Sequence, residues 1–215
     1  MEKPILILVA GGTASGKTTV VNEIVSHFNS DEISVIYMDN YYKRRDDLPL
    51  EKRKKINYDH PDSYDLDLLK EDLRKIMQNE SICTPVYDFT THNRRASEHI
   101  LIHPTKVLIL EGILSLYDKD IRDLSDIQIF VESEADVRFI RRLRRDIAER
   151  GRSMDEVISQ YLDTVKPMYD AYVAPTKRFA DIIIPNDTKH DVALGILSAK
   201  IKAVSYTHLT LPTNS

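Results

Sequence analysis

The chain has 215 residues, a hydrophobic fraction of 42% and a formal net charge of -4. That length suits one α/β domain with a small insertion, and the acidic balance gives no support to a general nucleic-acid-binding role. A single cysteine, Cys83, excludes an internal disulfide and fits a reducing compartment such as the cytoplasm.

Residues 5–21 (ILILVAGGTASGKTTVV) give an apolar strand, a glycine-rich turn and a helix start. The turn runs Gly11, Gly12, Thr13, Ala14, Ser15, Gly16, Lys17, Thr18, with Thr19 following, and fits G-x-x-x-x-G-K-[ST]. Glycines let the backbone curl so that successive N–H groups point inward as an anion cradle, and the helix start adds the positive end of its dipole. In this pattern Lys17 reaches the β- and γ-phosphates and the Thr18 hydroxyl ligates Mg²⁺. The bland alternative is a glycine turn between strand and helix, but the flanking elements are the context that phosphate binding requires. The apolar run is too short for a membrane span and ends in the loop, so neither a membrane partner nor a signal peptide is expected.

A helix is expected over 17–28, with Val20, Val21, Ile24, Val25 and Phe28 on its apolar face. A short buried strand over 34–38 ends in Asp39-Asn40-Tyr41-Tyr42. Ligands of open parallel sheets bind beyond the C-terminal ends of strands, which makes Asp39 a candidate site carboxylate as well as a candidate turn or N-cap residue. The charge run 43–55 reads as a solvated loop and short helix, with phosphate steering as the alternative. Residues 56–65 (INYDHPDSYD) are dense in Tyr, Asp and His, which can bind sugar hydroxyls and pack on a ribose or base. Asp62 or Ser63 can also cap the amphipathic helix expected over 66–77.

Residues 81–102 read as a β-hairpin, with strands over 82–87 and 97–102 and Tyr87, Phe89, His92 and Arg94 at the tip. A central strand over 107–110 ends in Glu111-Gly112. A carboxylate at a strand end opposite a phosphate loop commonly acts on Mg²⁺ or its waters, the alternative being a helix N-terminal glutamate. Strands are also expected over 126–131 and 180–184. The helix over 135–150 carries Arg138, Arg141, Arg142, Arg144, Arg145 and Arg150, and Gly151 and Arg152 follow. Arg138, Arg142 and Arg145 share a face. Dipole compensation rewards only the last turn, so this density reads as a lid whose guanidinium forks match phosphate oxygens. A helix over 153–172, interrupted near Pro167, and a closing helix over 187–204 complete the domain. Residues 205–215 (SYTHLTLPTNS) contain no Asp, Glu, Lys or Arg and are expected to be a disordered or non-native tail.

With Tyr58-Asp59-His60-Pro61-Asp62, Pro85-Val86-Tyr87-Asp88-Phe89-Thr90-Thr91-His92 and Arg145-Asp146-Ile147-Ala148-Glu149-Arg150-Gly151-Arg152, residues 3–203 resemble the uridine kinase (uridine–cytidine kinase) family. The resemblance implies an α/β P-loop NTPase three-layer sandwich in one domain over 1–204. Its parts are a five-stranded parallel sheet, a β-hairpin insertion at about 81–103 and an arginine-rich lid at about 142–155. It implies transfer of the γ-phosphoryl of ATP or GTP to the 5′-hydroxyl of uridine or cytidine, with Mg²⁺. Asp39 would be the general base and, with Thr18 and Glu111, a neighbour of the metal. Asp59 would hold ribose hydroxyls, assisted by Arg142 and Gln160. Tyr87 and His92 would read the pyrimidine, with Tyr58 and Phe89 packed around it and Tyr42 near the 5′ end. Arg145, Arg150 and Arg152 would hold triphosphate oxygens. Feedback inhibition by CTP or UTP, a homotetramer and a cytoplasmic location are further implications. Phosphoribulokinase and pantothenate kinase share the loop, but the segment from Tyr87 to His92 favours a pyrimidine. A P-loop switch would carry Asn-Lys-x-Asp and D-x-x-G motifs, and neither occurs.

Overall fold

The computed structural model describes residues 3–187 and 191–207. Strand β1 (Ile5–Gly11) is buried along its whole length. Because strand side chains alternate, its two faces feed two cores. Leu6, Leu8 and Ala10 join Leu69, Leu73, Ile76 and Met77 on one side, while Ile5, Ile7 and Val9 join Val20, Val21, Ile24, Leu194 and Leu197 on the other. A strand buried on both faces is what a parallel sheet sandwiched by helices demands.

The sheet has five parallel strands in the order β2-β5-β1-β6-β7, from β2 (Ile33–Tyr37), β5 (Val107–Glu111), β6 (Ile127–Glu132) and β7 (Ile182–Pro185). Val9 and Tyr37 both pair with Glu111, so the ends of β1, β2 and β5 lie level and open onto one rim. Helix α1 (Lys17–Ser26) leaves the phosphate loop, α2 (Leu50–Arg53) lies in the charge run, and α3 (Leu66–Met77) covers the other face. The hairpin is β3 (Ile82–Asp88) with β4 (Asn93–Ile102), antiparallel, with a register shift between Pro85 and Tyr87. Helices α4 (Lys119–Leu124), α5 (Ala135–Arg150), α6 (Met154–Gln160) and α7 (Lys166–Met168) follow, and α8 (Asp191–Thr207) closes the chain.

The element boundaries depart from the sequence expectations in several places. Helix α1 stops at Ser26, because the amides of His27 and Phe28 close tighter bonds to Ile24 and Val25. The cap of α3 is Asp65, which accepts from the Leu68 amide, not Asp62 or Ser63. Pro61 starts a 3₁₀ turn of its own over Pro61–Ser63 and spends those residues there. Strand β4 starts at Asn93 instead of 97. The helix expected over 153–172 opens on a Ser153–Glu156 capping box, then passes through π turns at Tyr161–Val165 and Tyr169–Val173 on either side of Pro167. A wider turn accommodates a proline ring and its missing N–H without ending the helix. Helix α8 runs on to Thr207, so residues 205–207 of the expected tail are helical; 208–215 lie outside the described residues, as do 188–190 at the start of the expected closing helix.

Candidate active site

The rim opens into a cleft of about 670 Å³ lined by the phosphate loop on one side and by aromatic side chains on the other. The loop is set by two positive-φ glycines. Gly11 (φ +147) has the Val131 carbonyl where a Cβ would sit, and Gly16 (φ +90) has the Asn186 amide there. That amide donates to the Ser15 carbonyl at 2.7 Å, pinning the loop from β7's end. Ala14 is also left-handed (φ 56), which turns successive amides toward one point. Thr13, Ala14, Gly16, Lys17, Thr18 and Thr19 line the cleft. Gly11, Gly12 and Ser15 do not: Gly12 abuts the Arg138 guanidinium and the Tyr169 ring, and Ser15 is buried beneath the loop.

Lys17 is 7% exposed and its ammonium donates to the Gly12 carbonyl at 3.1 Å. Burial pushes its pKa down, while the carboxylates of Glu111 and Asp39 pull the other way. The Thr18 hydroxyl donates to Glu111 at 3.1 Å. Burial raises the Glu111 pKa against the pull of Lys17. Asp39 sits in the 3₁₀ turn Met38–Tyr41 that ends β2 and faces this pair. Thr18, Glu111 and Asp39 offer only hard oxygens and too few to enclose an ion. That donor set fits Mg²⁺, which keeps waters and takes its remaining ligands from phosphate.

The aromatic wall is Tyr42, Tyr58, Tyr87, Phe89 and His92. Tyr42 meets Tyr58 and Tyr87 at 5.2 and 4.9 Å between ring centroids, and Tyr58 lies 5.4 Å from His92. The Tyr87 hydroxyl is buried and finds no hydrogen bond of good geometry among the described residues, although Tyr58 stands beside it. His92 has φ +49, a left-handed conformation at the hairpin tip. Burial, and then the charge of Arg152, push its pKa down and keep the ring neutral. The hairpin is docked on the strand-end turn: the Tyr87 amide donates to Asn40, and Arg94 donates to the Tyr42 and Tyr41 carbonyls. Burial raises the Asp59 pKa, and Arg142 opposes the shift.

The arginines meet at a carboxylate. Asp146 is fully buried and takes ion pairs from Arg142, Arg145, Arg150 and Arg152 at 3.6, 2.8, 3.4 and 3.4 Å. Arg142 also donates to Thr13 and Gln160, both at 2.9 Å, and Arg152 to Gln160 at 2.6 Å. Arg138, although on the expected face, is buried under the loop with its guanidinium 3.9 Å over the Tyr169 ring. Sequence alone gives no role to Asp146, Tyr64 or the bond between His60 and Tyr172 at 3.0 Å, and it groups Arg138 with the phosphate-facing arginines. For Asp146 a signal existed: an acid four residues after Arg142 and next to Arg145.

The parallel sheet with its phosphate loop, and a cleft that sets nucleotide-binding groups against an aromatic pocket, define a P-loop kinase. The chain belongs to the phosphoribulokinase / uridine kinase family, whose sequence profile matches residues 6–193. It is 50% identical over 205 residues to "Uridine kinase" of Lactobacillus helveticus, covering 95% of this chain and 97% of that one. It is also 50% identical over 201 residues to "Uridine kinase" of Brevibacillus brevis, covering 94% of each. Its fold matches D-glycerate 3-kinase from Cryptococcus neoformans at a TM-score of 0.58, with 17% identity over 80% of both chains.

Proposed function

We propose that this chain is a uridine kinase that moves the γ-phosphoryl group of ATP to the 5′-hydroxyl of uridine. The observation that carries the reading is the single cleft in which the phosphate loop and Asp39 stand opposite the pocket of Tyr42, Tyr58, Tyr87 and His92. The half-identical relatives bearing that name support it.

The roles follow from phosphoryl-transfer physics. The loop amides and Lys17 hold the triphosphate, and Arg145, Arg150 and Arg152 balance charge on the transferring and leaving phosphates. When bound beside Thr18, Glu111 and Asp39, Mg²⁺ neutralises charge on the β- and γ-phosphate oxygens. Asp59, Arg142 and Gln160 hold the ribose hydroxyls, while Tyr87, His92, Tyr58 and Phe89 enclose the pyrimidine. Asp39 orients the 5′-hydroxyl and takes its proton as the new P–O bond forms and the bond to the β-phosphate oxygen breaks, releasing ADP and UMP. The same reading includes cytidine as a second acceptor, GTP as a second donor, a cytoplasmic homotetramer, and CTP or UTP as feedback inhibitors.

A coupled ADP-release assay tests it, with uridine, cytidine, ribulose 5-phosphate, pantothenate or no acceptor. Uridine-dependent release is expected. Release only with a non-nucleoside acceptor, or equal release without any, overturns the reading.

A further inference from the structure

We infer that Tyr64 is a positioning residue for the Asp39 carboxylate, holding one of its oxygens through a buried hydroxyl chain from Tyr42 to Tyr64 to Asp39. The inference rests on the uridine kinase reading, in which Asp39 is the base.

Tyr64 is 1% exposed and lies outside the lining of the cleft, so it touches the reaction only through another residue. Its hydroxyl lies 2.8 Å from the Tyr42 hydroxyl and 3.3 Å from Asp39 Oδ1. The direction of the chain follows from proton counting. Each phenol has one proton and an ionised carboxylate has none. Asp39 therefore accepts from Tyr64, whose oxygen in turn accepts from Tyr42. A phenol keeps its proton at neutral pH, so both hydroxyls are donors. With Oδ1 held by Tyr64, the second oxygen of Asp39 is left to meet the nucleoside hydroxyl.

The backbone fixes this geometry. The chain before α3 is zipped to the turn after β2: the Lys43 amide donates to the Ser63 carbonyl and the Asp65 amide to the Tyr41 carbonyl, both at 2.8 Å. Tyr42 and Tyr64 form a β-bridge between them, and their rings stack with centroids 4.3 Å apart. Arg94 clamps the carbonyls of Tyr41 and Tyr42 from the hairpin side, at 3.0 and 2.6 Å. A phenyl ring alone would fill the same core position. The hydroxyl adds a fixed donor aimed at the one carboxylate whose orientation decides proton transfer, and a small misplacement of a catalytic group is costly in rate.

The test is a kinetic cycle with uridine and ATP on the full chain: unmodified, Tyr64→Phe, Asp39→Asn and the double variant. Tyr64→Phe removes one oxygen and keeps the ring. Thermal melting and ATP-binding stoichiometry give the folded fraction to which kcat is normalised. The expected loss in Tyr64→Phe is about tenfold in kcat, the lower range for one hydrogen bond to a charged group, with both KM values within about twofold. In the Asp39→Asn background the same change should alter kcat less than about twofold, since residues acting as a unit do not add. Unchanged kcat in Tyr64→Phe, a loss confined to uridine KM, or full multiplicativity in the double variant overturns the inference. Absence of uridine-dependent turnover in the unmodified chain overturns the function reading beneath it instead.

Discussion

Replacing Asp146 by asparagine keeps the shape and removes the charge on which the arginines converge. Asp146 and the Arg142 side chain are 0% and 6% exposed, whereas Arg145, Arg150 and Arg152 are 30%, 26% and 20% exposed. The buried pair therefore dominates. Breaking such a pair from one side costs about 3–5 kcal/mol, and each wetter pair adds less than about 1 kcal/mol. Arg142 keeps its bonds to Thr13 and Gln160, which favours the low end, about 3 kcal/mol. For a chain of this size that lowers Tm by about 6–12 °C. Burial works against the Asp146 charge, but the guanidiniums of Arg142, Arg145 and Arg150 outweigh it and hold its carboxyl below the ordinary range. A depressed pKa stabilises the fold above the unfolded-state value, and that stability is lost as pH falls through the folded-state value. The deficit of Asp146→Asn should be full at pH 7 and shrink in acid below about pH 4. Melting curves without nucleotide across that range, with ATP KM at pH 7, are the assay. An unchanged Tm and ATP KM at pH 7 would refute the claim that Asp146 assembles the arginines.

Other substitutions separate the remaining roles. Asp39→Asn should lower kcat by at least about 10²-fold, the scale of general-base loss, with uridine KM changed far less; near-normal turnover removes Asp39 from that role. His92→Ala should raise uridine KM more than ATP KM in steady-state kinetics. Because burial and Arg152 lower the His92 pKa, uridine KM in the unmodified chain should also change less as pH falls from 8 to about 6.5 than titration of a free imidazole would produce. Gly112→Ala places a Cβ 2.4 Å from the Met38 Cβ, directly before Asp39. It should cost about 1–3 kcal/mol in a denaturant melt and depress kcat.

The central sheet and the phosphate loop were legible because their signals are local. Apolar runs of strand length and one glycine pattern need no knowledge of distant partners. Asp39 and Glu111 were legible because strand ends in a parallel sheet share a rim. What escaped depends on long-range pairing. Tyr64 reads as one more aromatic until the β-bridge to Tyr42 brings its hydroxyl to Asp39. Asp65 won the α3 cap over Asp62 because Pro61 imposed a separate turn. Arg138 shares a helix face with Arg142, yet Tyr169, far along the chain, draws it under the loop.

The two π turns around Pro167 make the length of the 161–173 segment a rotational setting. Each π turn holds one residue more than an α turn and so swings everything after it by about 100°. With that phase, Gln160 before the first turn meets Arg142 and Arg152, while Tyr169 and Tyr172, which the second turn contains, meet Arg138 and His60. Losing one residue anywhere between would rotate the tyrosines off both contacts while leaving the helix itself intact. Over this stretch the spacing between contact residues is therefore constrained more tightly than the side chains that fill it.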